Sequence, residues 1–479
     1  MSELPLLEGV LKYIEENNIS FCMPGHKNGR GFFNTSIGRK FIDNILKFDI
    51  TEVDGVDNFH NPKSIILDAS ERLRDFYGSK KSYFLVNGST SGNMIMLFSS
   101  FNEGDKVLVE RNCHSSVFNG IIMRKLNPVY LKNIISTRLN APVCINLEHF
   151  LKTLDENKDA KGIIVTYPNY YGICSNLEFI IEKAREYNMK ILVDCAHGAH
   201  FGVHESLPES AVKMGADMVV TSTHKTLPSF TQTAYLHINN EEDLDKVDFY
   251  SKVFLSTSPS YVALCSMDYA RFYLEKYGYK DYEKLIEISE YYRDKINLIK
   301  GFSIIGKKDI SVHNKNLPSS VWDIDLTRYT INLEEGYSAN LLLDYLRKSR
   351  IQAEMSDNFN VVLIFSPFNK KEEFEKLYRA LKNCDLKNFT HKKIDIMEYE
   401  IPKMGILPYE IINSETETIN IESSLGRIAA INVTPYPPGI PLLLMGEIID
   451  RNILEIIKYY VKSGLDIIGI RDNKIRVVK

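Results

Sequence analysis

Ile191-Leu-Val-Asp-Cys-Ala-His-Gly-Ala-His200 and, further on, Met218-Val-Val-Thr-Ser-Thr-His-Lys-Thr226 decide the fold. In each, a short apolar run leads to a chemically capable side chain, Asp194 directly at the end of the first and Lys225 in the polar segment that closes the second. Such runs, too short for helices and rich in branched residues, read as strands over 191–193 and 218–221, buried on both faces. Working outward, strands are expected over 83–86, 106–110 and 162–167, and a helix from 93 to 101. A further helix follows Ser175-Asn-Leu-Glu178, whose spacing is that of a capping box, with Leu177, Ile180, Ile181, Ala184 and Tyr187 recurring at helical intervals. From 82 to about 239 the chain therefore alternates strand and helix, the pattern of βαβ units and a mostly parallel sheet. Ligands of such sheets sit at the carboxyl ends of the strands.

Three constellations fall at those ends. Asn87-Gly-Ser-Thr-Ser-Gly-Asn93 places two glycines and the hydroxyls of Ser89, Thr90 and Ser91 at a strand-to-helix junction. Free N–H groups and the positive end of the helix dipole make this an anion cradle, although a plain capped turn has the same composition. No Gly-Lys-Ser/Thr follows, so it is not a Walker loop. Asp194 closes the second constellation, where a carboxylate costs several kcal/mol unless a cation or donors meet it. A protonated ring nitrogen is one such partner; a metal shared with His197, His200 and His204 is another. Lys225, the third, is a solvated surface lysine unless it is desolvated, in which case it becomes a nucleophile. Cradle, carboxylate and lysine in this chain order suit a phosphorylated pyridine aldehyde, pyridoxal 5'-phosphate.

The remainder of the chain is consistent with a small-molecule enzyme. It has 479 residues, 44% hydrophobic and 25% charged, with 58 basic against 62 acidic residues and a net charge of −4. No basic block suggests nucleic acid, and no apolar run approaches the ~18 residues that cross a bilayer. The odd number of seven scattered cysteines points to a reducing, cytoplasmic setting. The organisation expected is an N-terminal wrapping segment over 1–75, a large domain over 76–290, a small α+β domain over 291–390 and a C-terminal α+β domain over 391–479. In the last two, helices are expected over 338–349, 371–382 and about 446–462, a strand over 361–365, and irregular chain over 391–418.

Taken together the motifs resemble the bacterial ornithine/lysine/arginine decarboxylases. They are Met23-Pro-Gly-His-Lys27, Asp49-Ile-Thr-Glu52, His60-Asn-Pro62, Phe84 through Asn93, and Arg111-Asn-Cys-His114. Asp194 through Phe201, Ser222 through Pro228, Thr257-Ser-Pro-Ser-Tyr261 and Tyr436-Pro-Pro-Gly-Ile-Pro441 continue the series over nearly the whole chain. The resemblance implies an aspartate-aminotransferase-like fold (PLP fold type I) and a carboxy-lyase that acts on a basic amino acid. Arginine to agmatine, for polyamine synthesis, comes first, then lysine to cadaverine, then ornithine. It is closest to the short members, which lack the receiver-like N-terminal wing of the long ones, so large rings are not expected.

The same resemblance implies roles. Lys225 carries pyridoxal phosphate, Asp194 faces its ring nitrogen, Ala196 packs on the ring and His114 stacks on the other face. Ser89, Thr90, Ser91 and Ser222 hold the phosphate, His197 lies near the phenolic oxygen, and His224 is the proton donor. Glu354, in Gln352-Ala-Glu-Met355, meets the distal cation of the substrate; otherwise it is a solvated acid on a strand edge. Cys195 stands where short members often have Glu, as an outward neighbour of Asp194. No metal is expected, and the active unit is a homodimer or dimer of dimers. An aminotransferase, or a protein that only binds the cofactor, would be the reading from another class.

Overall fold

The computed structural model describes residues 2–309, 317–391, 397, 399–436, 441–464 and 466–479. Its centre is a seven-stranded sheet built, in chain order, from β1 (Lys81–Leu85), β2 (Lys106–Glu110), β3 (Asn127–Leu131), β4 (Gly162–Thr166), β5 (Lys190–Asp194), β6 (Met218–Thr221) and β7 (Ala234–Ile238). In space the order is β1-β7-β6-β5-β4-β2-β3. All neighbours are parallel except β7, which runs against both β6 and β1. The edge strand β3 carries Pro128, whose missing N–H is tolerated only at an edge.

Side chains along each strand alternate between two cores. Val107, Val109, Ile164, Leu192, Met218 and Val220 fall on one face, under helix α1 (Gly88–Ser100) and helix α2 (Ser115–Arg124). Leu108, Ile163, Val165, Ile191, Val193 and Val219 fall on the other, with Leu177, Ile180, Ile181 and Ala184 of helix α3 (Leu177–Arg185). Because both faces are covered, the strands read as unbroken apolar runs. Alternation also decides the end of β5: Asp194 points to the α1 side and Cys195 to the opposite core, where its thiol is buried. Cys195 is thus a core residue, not an outward one.

Two helix starts beside this sheet differ from the sequence reading. Helix α1 begins at Gly88 rather than 93, so Ser89, Thr90 and Ser91 form its first turn. Gly92 allows this approach, since a Cβ there would lie 2.4 Å from a methyl of Val220 on β6. Helix α3 is capped by Asn176, whose side chain accepts from the Phe179 N–H, while the Ser175 hydroxyl accepts from the Ile145 N–H. The cap is therefore displaced by one residue, which puts Phe179 rather than Glu178 at the third helical position, so the expected box does not form.

A second sheet, β8 (Phe302–Ile304), β9 (Arg328–Leu333), β10 (Met355–Ser356) and β11 (Asn360–Ile364), is antiparallel in the order β8-β9-β11-β10 and carries helices α4 (Ala339–Lys348) and α5 (Lys371–Asn383). The N-terminal strand Ile19–Phe21 pairs in parallel with Ile351–Ala353 beside it, and Phe21 packs on Phe365 and Phe374. Near the C-terminus, β12 (Thr416–Asn420), β13 (Ile470–Arg471) and β14 (Lys474–Val478) form a small sheet with helix α6 (Arg451–Lys462). That helix starts after Asp450, its cap, and not at Gly446, whose φ of +98° is left-handed. Of the motif 436–441, residues 437–440 lie outside the described residues.

Candidate active site

The ends of β5 and β6 are adjacent, and the site forms there. Asp194 is only 2% exposed. Its Oδ2 accepts from Asn93 Nδ2 at 2.8 Å and its Oδ1 from the Ala196 N–H at 3.1 Å. Both donors are neutral, and among the described residues no cationic side chain pairs with this carboxylate. A buried negative charge thus faces the crevice, as a counter-charge for a cation would require.

Lys225 lies in the single helical turn Thr223–Thr226 that closes β6. Burial, with the charge of Arg328 behind it, lowers its pKa against the opposing pull of Asp194 and Glu354. Its Nζ sits 3.1 Å from His197 Nε2. His197 is itself buried, and its pKa is driven well down by burial first and then by Lys225 and Arg328. The neighbouring His224 donates from Nδ1 to the Thr233 carbonyl at 2.8 Å, which leaves Nε2 for other work. The turn is clamped from outside by the segment 23–27. The Gly25 N–H donates to the His224 carbonyl at 2.7 Å, and a Cβ at Gly25 would stand 2.4 Å from the carbonyl carbon of Thr226. Lys27, fully buried, donates to the carbonyls of Cys22 and Ile364, and burial pushes its pKa down to about 8.

The first turn of α1 supplies the anion cradle. Asn87 stands at the cap but makes no capping bond, because its Oδ1 accepts instead from the Ser256 N–H. The first-turn N–H groups are therefore left for a ligand. Ser222 donates to Ser89 Oγ at 2.8 Å, which directs the Ser89 hydroxyl hydrogen onward, and Thr90 is exposed. Ser91 differs: it is buried and donates to the Gly88 carbonyl, so its hydroxyl hydrogen is already committed.

His114 caps helix α2, its Nδ1 accepting from the Ser116 N–H and bonding Ser116 Oγ at 2.8 Å. Ser116 Oγ in turn accepts from Asn93 Nδ2. One amide thus ties Asp194 to the His114 cap. Glu354 is half-buried rather than solvated: its Oε2 accepts from the Met23 N–H at 2.9 Å and its Oε1 from the Tyr170 hydroxyl at 2.7 Å. The Tyr170 ring packs edge-on to His197 at 4.9 Å.

The histidines that suggested a metal point to different partners. His197 bonds Lys225 and Arg328, whereas His200 bonds Asp325 and Thr327. Among the described residues, no three His, Cys, Asp or Glu side chains converge on a point. Asn93, Ser116, Tyr170 and Arg328 also belong to the site. Asn93 closes the motif 87–93, but Arg328 meets its partner 131 residues away and leaves no local signal in the sequence. The residues present fit a phosphorylated pyridine aldehyde, with open N–H groups for the phosphate, a buried carboxylate for the ring nitrogen and a desolvated amine for the aldehyde.

Comparison with known proteins gives the same direction. A family described as Orn/Lys/Arg decarboxylase, major domain, matches residues 4–373, and its C-terminal domain matches 399–464. Arginine decarboxylase of Halalkalibacterium halodurans is 33% identical over 100% of this chain and 97% of its own. Arginine decarboxylase of Bacillus subtilis is 31% identical with the same two coverages. Among solved structures, lysine decarboxylase A from Pseudomonas aeruginosa superposes with a TM-score of 0.79 at 20% identity, covering 99% of this chain and 80% of that one.

Proposed function

We propose a specific reaction from an established premise: this chain belongs to the Orn/Lys/Arg decarboxylase family. It has the PLP fold type I and is a pyridoxal-phosphate-dependent amino-acid decarboxylase. The substrate in our reading is L-arginine, and the products are agmatine and CO2. The observation that carries this choice is the match of the whole chain to two proteins named arginine decarboxylase.

In this reading Lys225 holds the cofactor, and the bound cofactor supplies an electron sink for the pair that CO2 leaves behind. Asp194, fixed by Asn93 and the Ala196 N–H, keeps a negative charge opposite the ring nitrogen so that it stays protonated. Ala196 and His114 flank the ring. Ser89, Thr90 and Ser222 hold the phosphate with the first-turn N–H groups, and Ser91 contributes its backbone. His197 serves the phenolic oxygen. Once protonated at Nε2 as well, His224 would deliver that proton to the α-carbon, its ring oriented by the Nδ1–H bond to Thr233. Glu354 receives the distal guanidinium, each oxygen keeping a lone pair beside its present bond, as a bidentate pair needs.

The chain divides in the same reading into 1–75, 76–290, 291–390 and 391–479, and works as a homodimer or dimer of dimers. Helix Pro5–Glu15 buries none of its residues and exposes Leu7, Val10, Leu11 and Ile14 along one stripe, which supports an association. Seven free cysteines support a cytoplasmic setting. Among the described residues no helix is long and apolar enough to cross a membrane. Purified protein supplied with pyridoxal phosphate should form agmatine from arginine in preference to cadaverine from lysine or putrescine from ornithine. Preference for lysine would move the assignment within the family, and CO2 release from none of the three would end it.

A further inference from the structure

Arg328 on β9 reaches into the site from the second sheet and touches His197 rather than any residue of the cradle. Its Nη2 lies 3.1 Å from His197 Nδ1, and its Nη1 donates to the Tyr170 carbonyl. Asp325 balances its charge from 3.9 Å. Asp325 is in turn fixed by His200, the Thr327 hydroxyl and the Thr327 N–H.

We infer that Arg328 is a positioning residue: it fixes the tautomer of His197 and through it keeps the Lys225 amine uncharged for capture of an aldehyde. A guanidinium has N–H donors and no acceptor. His197 Nδ1 must therefore accept, so the ring proton is on Nε2, and Nε2–H donates to Lys225 Nζ at 3.1 Å. An amine that accepts carries a lone pair and no positive charge. The reverse arrangement, an ammonium donating to Nε2, would put the ring proton on Nδ1 and set two donors against each other at Arg328. The groups facing His197 are Lys225 from the turn after β6, Arg328 from β9 and Tyr170 from the loop after β4, with His114 and His224 further off. None of them is an anion that would favour a protonated imidazole.

The consequence is chemical. The Lys225 lone pair attacks the aldehyde carbon, two protons pass from nitrogen to the carbonyl oxygen, and water leaves as the C=N bond forms. An ammonium cannot begin that sequence. The inference rests on the reading that Lys225 holds the cofactor, and its test separates the two.

Nitrogen NMR of the full-length chain carrying 15N-labelled histidine should show His197 protonated at Nε2 and bare at Nδ1, with and without pyridoxal phosphate. Protonation at Nδ1 would overturn the inference. The pH dependence of pyridoxal phosphate capture by the stripped full-length chain gives the second readout. In Arg328→Lys an ammonium still has donors and no acceptor, whereas in Arg328→Met the donors and the positive charge are both gone. The capture midpoint should rise in Arg328→Met by about one pH unit, slowing capture about tenfold below it, and the Nε2–H tautomer should be lost there but kept in Arg328→Lys. An unchanged midpoint together with an unchanged tautomer in Arg328→Met would refute it. If the variants fail to fold, the tautomer of the unaltered chain still decides. Capture undiminished in Lys225→Ala would instead overturn the assignment of Lys225, whatever the tautomer of His197.

Discussion

Asn93 Nδ2 donates both of its hydrogens inside the site, one to Asp194 Oδ2 and one to Ser116 Oγ, each at 2.8 Å. A single side chain on α1 therefore fixes the carboxylate at the end of β5 and, through Ser116, the His114 cap of α2. Asn93→Ala removes one of the two donors that Asp194 has, in a place water does not reach. A buried group left short of a partner costs about 1–3 kcal/mol. The variant should melt at lower temperature and lose pyridoxal phosphate faster on dialysis than the unaltered chain. Unchanged retention of the cofactor would show that Asp194 needs no help from α1.

His224→Asn separates the two nitrogens of this ring. The Asn amide can still donate to the Thr233 carbonyl, as Nδ1 does at 2.8 Å, but it has nothing in the place of Nε2. Cofactor binding should persist while kcat for arginine falls about 10²–10⁴-fold, the contribution of a positioned proton-transfer group. A fall of less than tenfold in steady-state assays would hand the proton delivery to another group.

Glu110 gives a pH dependence with a defined sign. It is buried at the end of β2, where its oxygens accept from Asn133 Nδ2 and the Thr166 N–H. Burial raises its pKa from 4.5 to about 7 despite those bonds. Between these values the unfolded chain has released its proton while the folded one keeps it, so stability falls as pH rises through the window, by up to about 1.4 kcal/mol per unit. Glu110→Gln should remove this slope in chemical denaturation series. The buried Asn133 Oδ1 has no partner, so a flip of that amide can receive the new NH2 group. A slope that persists in the variant would place the titration elsewhere.

The parts of the site that could be read in the sequence are those that end a strand. Asp194 terminates an apolar run and Lys225 follows the next one by four residues, and the alternation of runs with amphipathic helices is enough to make their strands neighbours. The boundary residues were obscured by chemistry that serves two ends at once. Ser89, Thr90 and Ser91 favour a turn as much as a helix start, and the helix won because Gly92 lets α1 lie close on Val220. Pro128 hides an edge strand, since a proline ordinarily argues against one. Arg328 enters the site from the second sheet, Tyr170 from the loop after β4 and the Met23 N–H from the N-terminal segment, and their partners are fixed by tertiary packing alone.

The last prediction concerns the joint between the large sheet and the C-terminal unit. Arg111, just beyond β2, is 2% exposed and forms a two-pronged pair with Glu447, which is fully buried: Nη1 to Oε1 at 2.6 Å and Nη2 to Oε2 at 2.9 Å. Its remaining donors reach the Pro441 and Leu442 carbonyls, and Glu447 also accepts from the Leu444 N–H at 2.7 Å. Removing one member leaves an unpaired charge in a dry interior, which costs about 3–5 kcal/mol, whereas replacing both by apolar residues of similar volume is often close to neutral. Arg111→Met and Glu447→Leu should each destabilise the protein strongly, and the double variant should cost less than the sum of the two, by an interaction of at least about 2 kcal/mol. Denaturation midpoints and slopes of the four proteins provide the cycle. Additive losses would mean that the carbonyl contacts at Pro441 and Leu442, rather than the ion pair, hold the C-terminal unit against β2.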